Sequence, residues 1–215
     1  MKKTFYTFTL LFFATAFTFA KPMSDRTAQE IVYDMKTGWN LGNTLDANAC
    51  GGLESETSWG QPLTTKEMFD GLKEAGFNTV RIPVSWANHI VGKKHKIDPL
   101  WMKRVKQIVD WAIADDMYVI LNTHHDNFDR AGGISYGDGY YPNMVCWNES
   151  MLYTKDVWAQ IAKTFNKDYD EHLIFEVFNE PRLRGHEHEW YASAGCNECK
   201  YGAQTLNKLN QIKYL

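Results

Sequence analysis

One rhythm constrains this chain more than any other feature: short apolar runs alternate with longer segments of helical spacing. "GWNLGNTL" (Gly38 to Leu45) reads as a first strand. "TTKEMFDGLKEAG" follows as a helix, with Thr64 and Glu67 spaced as a capping box and Gly76 as its stop. "FNTVRIPVSW" (Phe77 to Trp86) is the second strand. "DPLWMKRVKQIVDWAIADD" is the second helix, with Asp98 at its N-cap and Pro99 in its first turn. Its residues Leu100, Trp101, Val105, Ile108, Val109 and Ala112 recur at helical spacing. "MYVILNTHHD" (Met117 to Asp126) is the third strand, followed by a long aromatic loop over about Asn127 to Glu149. "MLYTKDVWAQIAKTF" is a third helix, "HLIFEVFNE" a fourth strand, and "AQTLNKLNQIKYL" begins a fourth helix.

Strands this apolar suit a sheet covered on both faces, and the alternation implies a parallel sheet with right-handed crossovers. A doubly wound sheet and a (β/α)8 barrel both satisfy it. No G-x-G-x-x-G follows a strand, so the dinucleotide signature is missing. Every strand instead ends in polar or aromatic side chains: Asn43; Arg81 and Trp86; His124 and His125; Asn179 and Glu180. A barrel gathers such ends on one face, where barrel active sites sit.

Residues 1–20 stand apart. A basic "MKK" precedes "FYTFTLLFFATAFTFA", and Thr18 and Ala20 form a small-x-small site before Lys21. This is a signal-peptide pattern, with an uncleaved anchor as the rival. It predicts a secreted, extracellular protein with no membrane association after cleavage, and residues 21–215 as the folded part. A net charge of -3 and the lack of a basic stripe argue against nucleic acid. Eight Trp and eleven Tyr suit a core, and equally a sugar cleft, because a pyranose face stacks on an aromatic ring. Cys50, Cys146, Cys196 and Cys199 allow three disulfide connectivities, and sequence does not choose among them.

The chemistry concentrates in "LIFEVFNEPR" (Leu173 to Arg182). Pro181 fixes the exit of the fourth strand. Asn179 can donate to a substrate hydroxyl, and Glu180 can protonate a leaving-group oxygen, as glycoside hydrolysis requires. Arg81, inside an apolar strand, either braces the barrel rim with a strand-end carboxylate or keeps a second, nucleophilic carboxylate ionised. Adjacent strand residues face opposite sides, so one of His124 and His125 should face the site and the other pack behind it. A His-His-Asp zinc reading with Asp126 lacks the usual helical ligand pattern.

"GWNLGNTLDA", "ETSWGQPLTT", "AGFNTVRIPVSW", "YVILNTHHD", "GYYPN" and "HLIFEVFNEPR", in this order, resemble glycoside hydrolase family 5, and most closely its subfamily 4 of endo-β-glucanases. The resemblance covers about Thr27 to Leu215. It implies a (β/α)8 barrel, here its first four β/α units, and a retaining double displacement with no cofactor or metal. It implies β-1,4-linked glucan substrates. By the same resemblance Glu180 is the acid/base, Asn179 contacts the sugar 2-hydroxyl, Arg81 lies near the nucleophile, and His124 lines the cleft with His125 beside it. Trp59, Tyr141 and Asn43 lie on motif loops as subsite or packing residues, and the loop containing Tyr141 is expected to wall the cleft.

A retaining glycosidase needs a second carboxylate about 5–5.5 Å from the first. In the family this glutamate ends the seventh strand, and the chain stops at Leu215, in what reads as the fourth helix. Glu176, Glu187, Glu189 and Glu198 match no nucleophile motif, and Glu176 should face the barrel interior or a helix seam. Residues 21–215 also fall short of a typical barrel of about 250 residues. The expectation is the N-terminal half of an enzyme. The rival functions are a noncatalytic carbohydrate-binding protein and a metallohydrolase built on His186, His188, Cys196 and Cys199.

Overall fold

The computed structural model describes residues 23–127, 138–191 and 193–209. The expected leader, most of the loop before Asp138 and the chain end lie outside them. The elements are α1 (Ala28–Met35), β1 (Gly38–Asn40), α2 (Lys66–Glu74), β2 (Thr79–Ile82), α3 (Pro99–Ala114), β3 (Tyr118–Asn122), α4 (Trp147–Phe165), β4 (Leu173–Glu176) and α5 (Asn197–Leu209).

The four strands lie side by side in chain order and all run parallel. Register aligns Asn40 with Arg81, Arg81 with Ile120 and Ile120 with Ile174; two residues further on, Asn122 aligns with Glu176. Alternation along a strand then sorts the faces. Val80, Ile82, Val119 and Leu121 join the core with Phe69, Trp101, Val105, Ile108, Val157, Ile161 and Phe165 from the helices. Asn40, Arg81, Asn122 and Glu176 share the opposite face with Ile120 and Ile174. These are the first four β/α units of a (β/α)8 barrel, with helices outside and this mixed polar and apolar face within. Ile108 is fully buried, so truncation to alanine there would cost about 2–5 kcal/mol.

Each strand is shorter than its apolar run. Pro83 follows β2 directly and offers no N–H to a ladder. Beyond it, side chains replace the ladder: Val84 N–H donates to Asn122 Oδ1 at 3.2 Å, and Trp86 and Ala87 N–H donate to Asp126 Oδ1 at 2.8 and 3.0 Å. Asp98 caps α3 by accepting from Leu100 N–H at 2.8 Å, as expected. Gly76 ends α2 with φ 90°, a conformation that favours glycine. Leu100 is exposed although the adjacent Trp101 is buried, so Leu100 lies off the core-facing stripe of α3.

The expected capping box at Thr64 and Glu67 does not form. Thr65 is the N-cap of α2, and Thr64 is buried with its N–H on Glu56 Oε1 at 2.9 Å. A capping box does occur at Thr27 and Glu30, where it starts α1, a surface helix with no buried residue. α4 begins at Trp147, earlier than its apolar spacing suggests, because Asn143 caps a 3₁₀ turn over Met144–Cys146 that runs into it. No helix among the described residues is long and apolar enough to cross a membrane.

Two buried polar features hold the outer layer. Arg104 of α3 grips Glu56 with Nε to Oε2 at 2.8 Å and Nη2 to Oε1 at 2.9 Å, and also reaches Thr64 O at 2.7 Å. Burial raises the Glu56 pKa, but the bonds from Arg104 and Thr64 outweigh it and hold the carboxyl below its ordinary value. His89 stacks on Trp101 at 3.6 Å and 7°, and burial lowers its pKa to about 4.

Candidate active site

Arg81 organises the strand ends. Its Nε and Nη2 donate to Glu176 Oε2 and Oε1, both at 2.7 Å. Nη2 also donates to Asn179 Oδ1 at 3.0 Å, and Nη1 to Asn40 Oδ1 at 3.2 Å. One planar guanidinium thus ties β1, β2 and β4, the fork geometry that suits arginine. Burial raises the Glu176 pKa, while the bonds and charge of Arg81 lower it further and keep the carboxylate ionised. Glu176 therefore faces the polar interior, one of the two placements expected for it, and its partner lies 95 residues away in sequence. Because Arg81 occupies the Asn179 oxygen, the Asn179 amide nitrogen is left to donate.

Asn122, fully buried, links this cluster to the histidines. Its Nδ2 lies 3.3 Å from Glu176 Oε1 and 3.1 Å from His124 Nδ1. The Nε2 atoms of His124 and His125 lie 4.0 and 3.8 Å from Asp46 Oδ2. Both imidazoles therefore turn to one side, in contrast to the alternation expected of them. β3 ends at Asn122, and strand alternation no longer applies beyond it. Burial, then the charges of His125 and Arg81, lowers the His124 pKa to about 4; burial likewise lowers that of His125. Neutral imidazoles can donate and accept hydrogen bonds toward sugar hydroxyls. Trp59 lies against His125 at 5.5 Å, with its ring partly open to solvent, and offers a stacking face.

Asp46, His124 and His125 form a set that could hold a cation. The zinc reading with Asp126 does not survive. Asp126 is buried, with Tyr153 Oη–H donating to its Oδ2 at 2.8 Å and two backbone N–H groups on Oδ1, and burial pushes its carboxyl up to about 6.

Glu180 stands four residues beyond β4, which ends at Glu176 and not at the expected Glu180, with its side chain 63% exposed. Its φ of 41° is in the left-handed region, costing about 1–3 kcal/mol for a residue other than glycine. The neighbours hold it there. Asn179 N–H donates to Thr123 O at 3.0 Å, and Arg182 Nη1 donates to Glu180 O at 3.2 Å and Oε2 at 3.3 Å. Arg182 in turn donates through Nε to Glu189 at 2.7 Å and lies 4.3 Å from the Trp190 ring centroid.

The remaining candidates divide. Asn43 is exposed in a turn with φ 60°. Tyr141 is 4% exposed and packs with Cys146 and Leu183, so it braces its loop and does not line an open cleft. Glu189 is bound to Arg182 and Gly185 N–H, and Glu198 to His186. Cys50, Cys196 and Cys199 form no disulfide. Sequence reasoning missed Asn40, Asp46, Asn122 and Arg182. Asn40 and Asp46 both lie within the "GWNLGNTLDA" motif, which had pointed only to Asn43.

The family model described as Cellulase (glycosyl hydrolase family 5) matches residues 45–213. Endoglucanase A of Clostridium longisporum is 44% identical over 199 residues, covering 87% of this chain and 36% of that protein. Endoglucanase B of Ruminococcus albus is 48% identical over 179 residues, covering 82% and 41%. A glycoside hydrolase 5 lichenase from a Caldicellulosiruptor species, solved as a mutant with cellotetraose, superposes with TM-score 0.79 at 44% identity, covering 90% of this chain and 50% of that one. A GH5-4 broad specificity endoglucanase from Ruminococcus champanellensis with bound cellotriose gives TM-score 0.76 at 41% identity, covering 89% and 53%. The chain thus spans about half the length of these solved relatives. On matches that include the strands carrying Arg81, His124, Asn179 and Glu180, the chain belongs to glycosyl hydrolase family 5, the cellulase family.

Proposed function

We propose that this chain supplies the acid/base half of a secreted, endo-acting β-1,4-glucanase that works with retention, its nucleophilic carboxylate coming from sequence beyond Leu215. The observation that carries the reading is Glu180, braced just beyond β4 beside an Asn179 whose oxygen is pinned by Arg81. Relatives named endoglucanases, of which the chain spans about half or less, support the substrate class and the second half.

The chemistry follows from these positions. Glu180 gives its proton to the glycosidic oxygen while the second carboxylate attacks the anomeric carbon and forms a glycosyl-enzyme. Glu180 then takes a proton from water, which releases the sugar with its β configuration. The Asn179 amide donates to a ring hydroxyl, and the open ring of Trp59 stacks on a pyranose face. Asp46, His124 and His125 line the cleft as hydrogen-bond partners for further hydroxyls.

The test is hydrolysis of cello-oligosaccharides by the protein from the complete coding sequence, with the anomer followed by proton NMR. β product before mutarotation is expected, and α product would refute the retaining reading. Sugar binding without hydrolysis would favour the noncatalytic alternative. Secretion is proposed on residues 1–20 alone, and N-terminal sequencing of exported protein should begin at Lys21.

A further inference from the structure

The loop after β4 brings together four residues that the glycosidase reading does not use. We propose that His186, His188, Cys196 and Cys199 form a zinc site that fastens this loop to the start of α5. The sequence pattern is H-x-H followed by C-x-x-C, and C-x-x-C is the usual spacing of a zinc-binding turn. The proposal does not depend on the glucanase assignment.

The geometry is close to that of a bound site. One ligand atom from each of the four lies within 4.8 Å of all the others. Cys199 Sγ lies 3.4 Å from His188 Nδ1, and Cys196 Sγ lies 3.9 Å from His186 Nε2. Tetrahedral zinc, with Zn–S near 2.3 Å and Zn–N near 2.0–2.1 Å, requires ligand separations of about 3.3–3.8 Å. Closing the set therefore needs movements of about 1 Å or less. Cys199 N–H already donates to Cys196 Sγ at 3.4 Å, a backbone donor that would stabilise a thiolate.

The donor set selects the metal. Two soft thiolates with two imidazoles in a tetrahedral arrangement suit zinc. Four protein ligands leave no open position, so the site is structural. Binding expels one proton from each thiol, and the metal takes up the two sulfur lone pairs. It also displaces a local competitor, since Glu198 Oε2 lies 2.9 Å from His186 Nε2. Zinc on His186 Nε2 also leaves the ring proton on Nδ1, so the bond that Nδ1 now accepts from His188 N–H at 3.0 Å is given up.

The consequence reaches the candidate active site. His188 and Cys199 line one side of a cavity whose other walls include Pro181, Arg182 and Trp190. The same loop supplies Glu189, which holds the arginine that braces Glu180. Zinc would thus stiffen the support of the acid/base from behind.

The test is metal analysis of the reduced full-length protein, purified with zinc and desalted. One zinc per chain is expected, and Cys196→Ser with Cys199→Ser should reduce it to background. Cobalt in place of zinc should give a thiolate charge-transfer band and intense visible bands of a tetrahedral site. If the double variant fails to fold, His188→Asn should remain folded and weaken zinc at least tenfold in competition with a chromophoric chelator. Substoichiometric metal in folded, reduced protein would overturn the proposal. So would unchanged binding in either variant, or recovery of a Cys196–Cys199 disulfide peptide from the native protein.

Discussion

Among the described residues two arginine–glutamate forks, Arg104–Glu56 and Arg81–Glu176, have nearly the same geometry, and they do different work. Arg104–Glu56 bonds at 2.8 and 2.9 Å with Glu56 only 1% exposed. Arg81–Glu176 bonds at 2.7 Å twice with side chains 27% and 31% exposed. The first is closed: its surplus donors go to Thr64 O and Gln107, and it fastens α3 to the loop before α2. The second is open, and its surplus donors go to Asn40 and Asn179 at the strand ends. The fork chemistry alone therefore does not mark a site. Its position on the polar face of the sheet, next to a carboxylate with positive φ, does.

The comparison yields predictions in order of size. Glu180→Gln should lower hydrolysis of natural glucans by the complete enzyme about 10²–10⁴-fold. Its stability should stay within about 0.5 kcal/mol, since the side chain faces water. Kinetics and a denaturation curve on one preparation check both.

Next, Arg104→Met should cost about 3–5 kcal/mol by stranding a buried carboxylate, with kcat per folded molecule intact. Arg81→Met should reverse the pattern: less than about 2 kcal/mol of stability, but roughly 10²-fold in kcat as Asn179 loses its orientation. If both variants lose stability equally and neither loses kcat selectively, the distinction between the forks fails.

The two aromatics extend the contrast. Tyr141→Ala should destabilise by about 3 kcal/mol and leave KM unchanged, because its ring is buried. Trp59→Ala should raise KM roughly fivefold, about 1 kcal/mol of stacking, with little effect on stability. A KM effect at Tyr141 instead would return it to the cleft wall.

The slope of stability with pH is a separate expectation. His89 titrates at about 4 in the fold against 6.5 ordinarily, so falling pH protonates the unfolded chain first. Stability is therefore lost as pH drops from 6.5 toward 4. Asp126, raised from 3.8 to about 6, acts in the opposite direction over much of that range. His89→Phe should flatten the acid limb of urea-derived stability by up to about 1.4 kcal/mol per pH unit. An unchanged slope would mean that His89 is not the group responsible.

The sheet and the outer helices were legible because each carries its own period. Val80, Ile82, Val119 and Leu121 announce strands, and Trp101, Val105 and Ile108 announce a helix. Glu180 and Asn179 were legible because proline follows them at the end of an apolar run. The network around Arg81 was only half legible: the arginine stands out inside β2, but Glu176 lies 95 residues away and nothing local joins them. Asp46 was missed because it lies beyond β1, where its carboxylate meets two histidines from another loop. Helix α1 was missed although Thr27 and Glu30 carry the capping signal, because it has no buried stripe to follow.

The central claim is that Glu180 is the acid/base of a retaining glycosidase. The most direct measurement is chemical rescue of Glu180→Ala in the complete enzyme. An aryl β-cellobioside with a good leaving group needs little protonation, so its glycosyl-enzyme should form and accumulate. Azide, which needs no general base, should then restore turnover and give a β-glycosyl azide. Absence of rescue together with normal glucan hydrolysis by Glu180→Ala, or an α-configured azide product, would contradict the assignment.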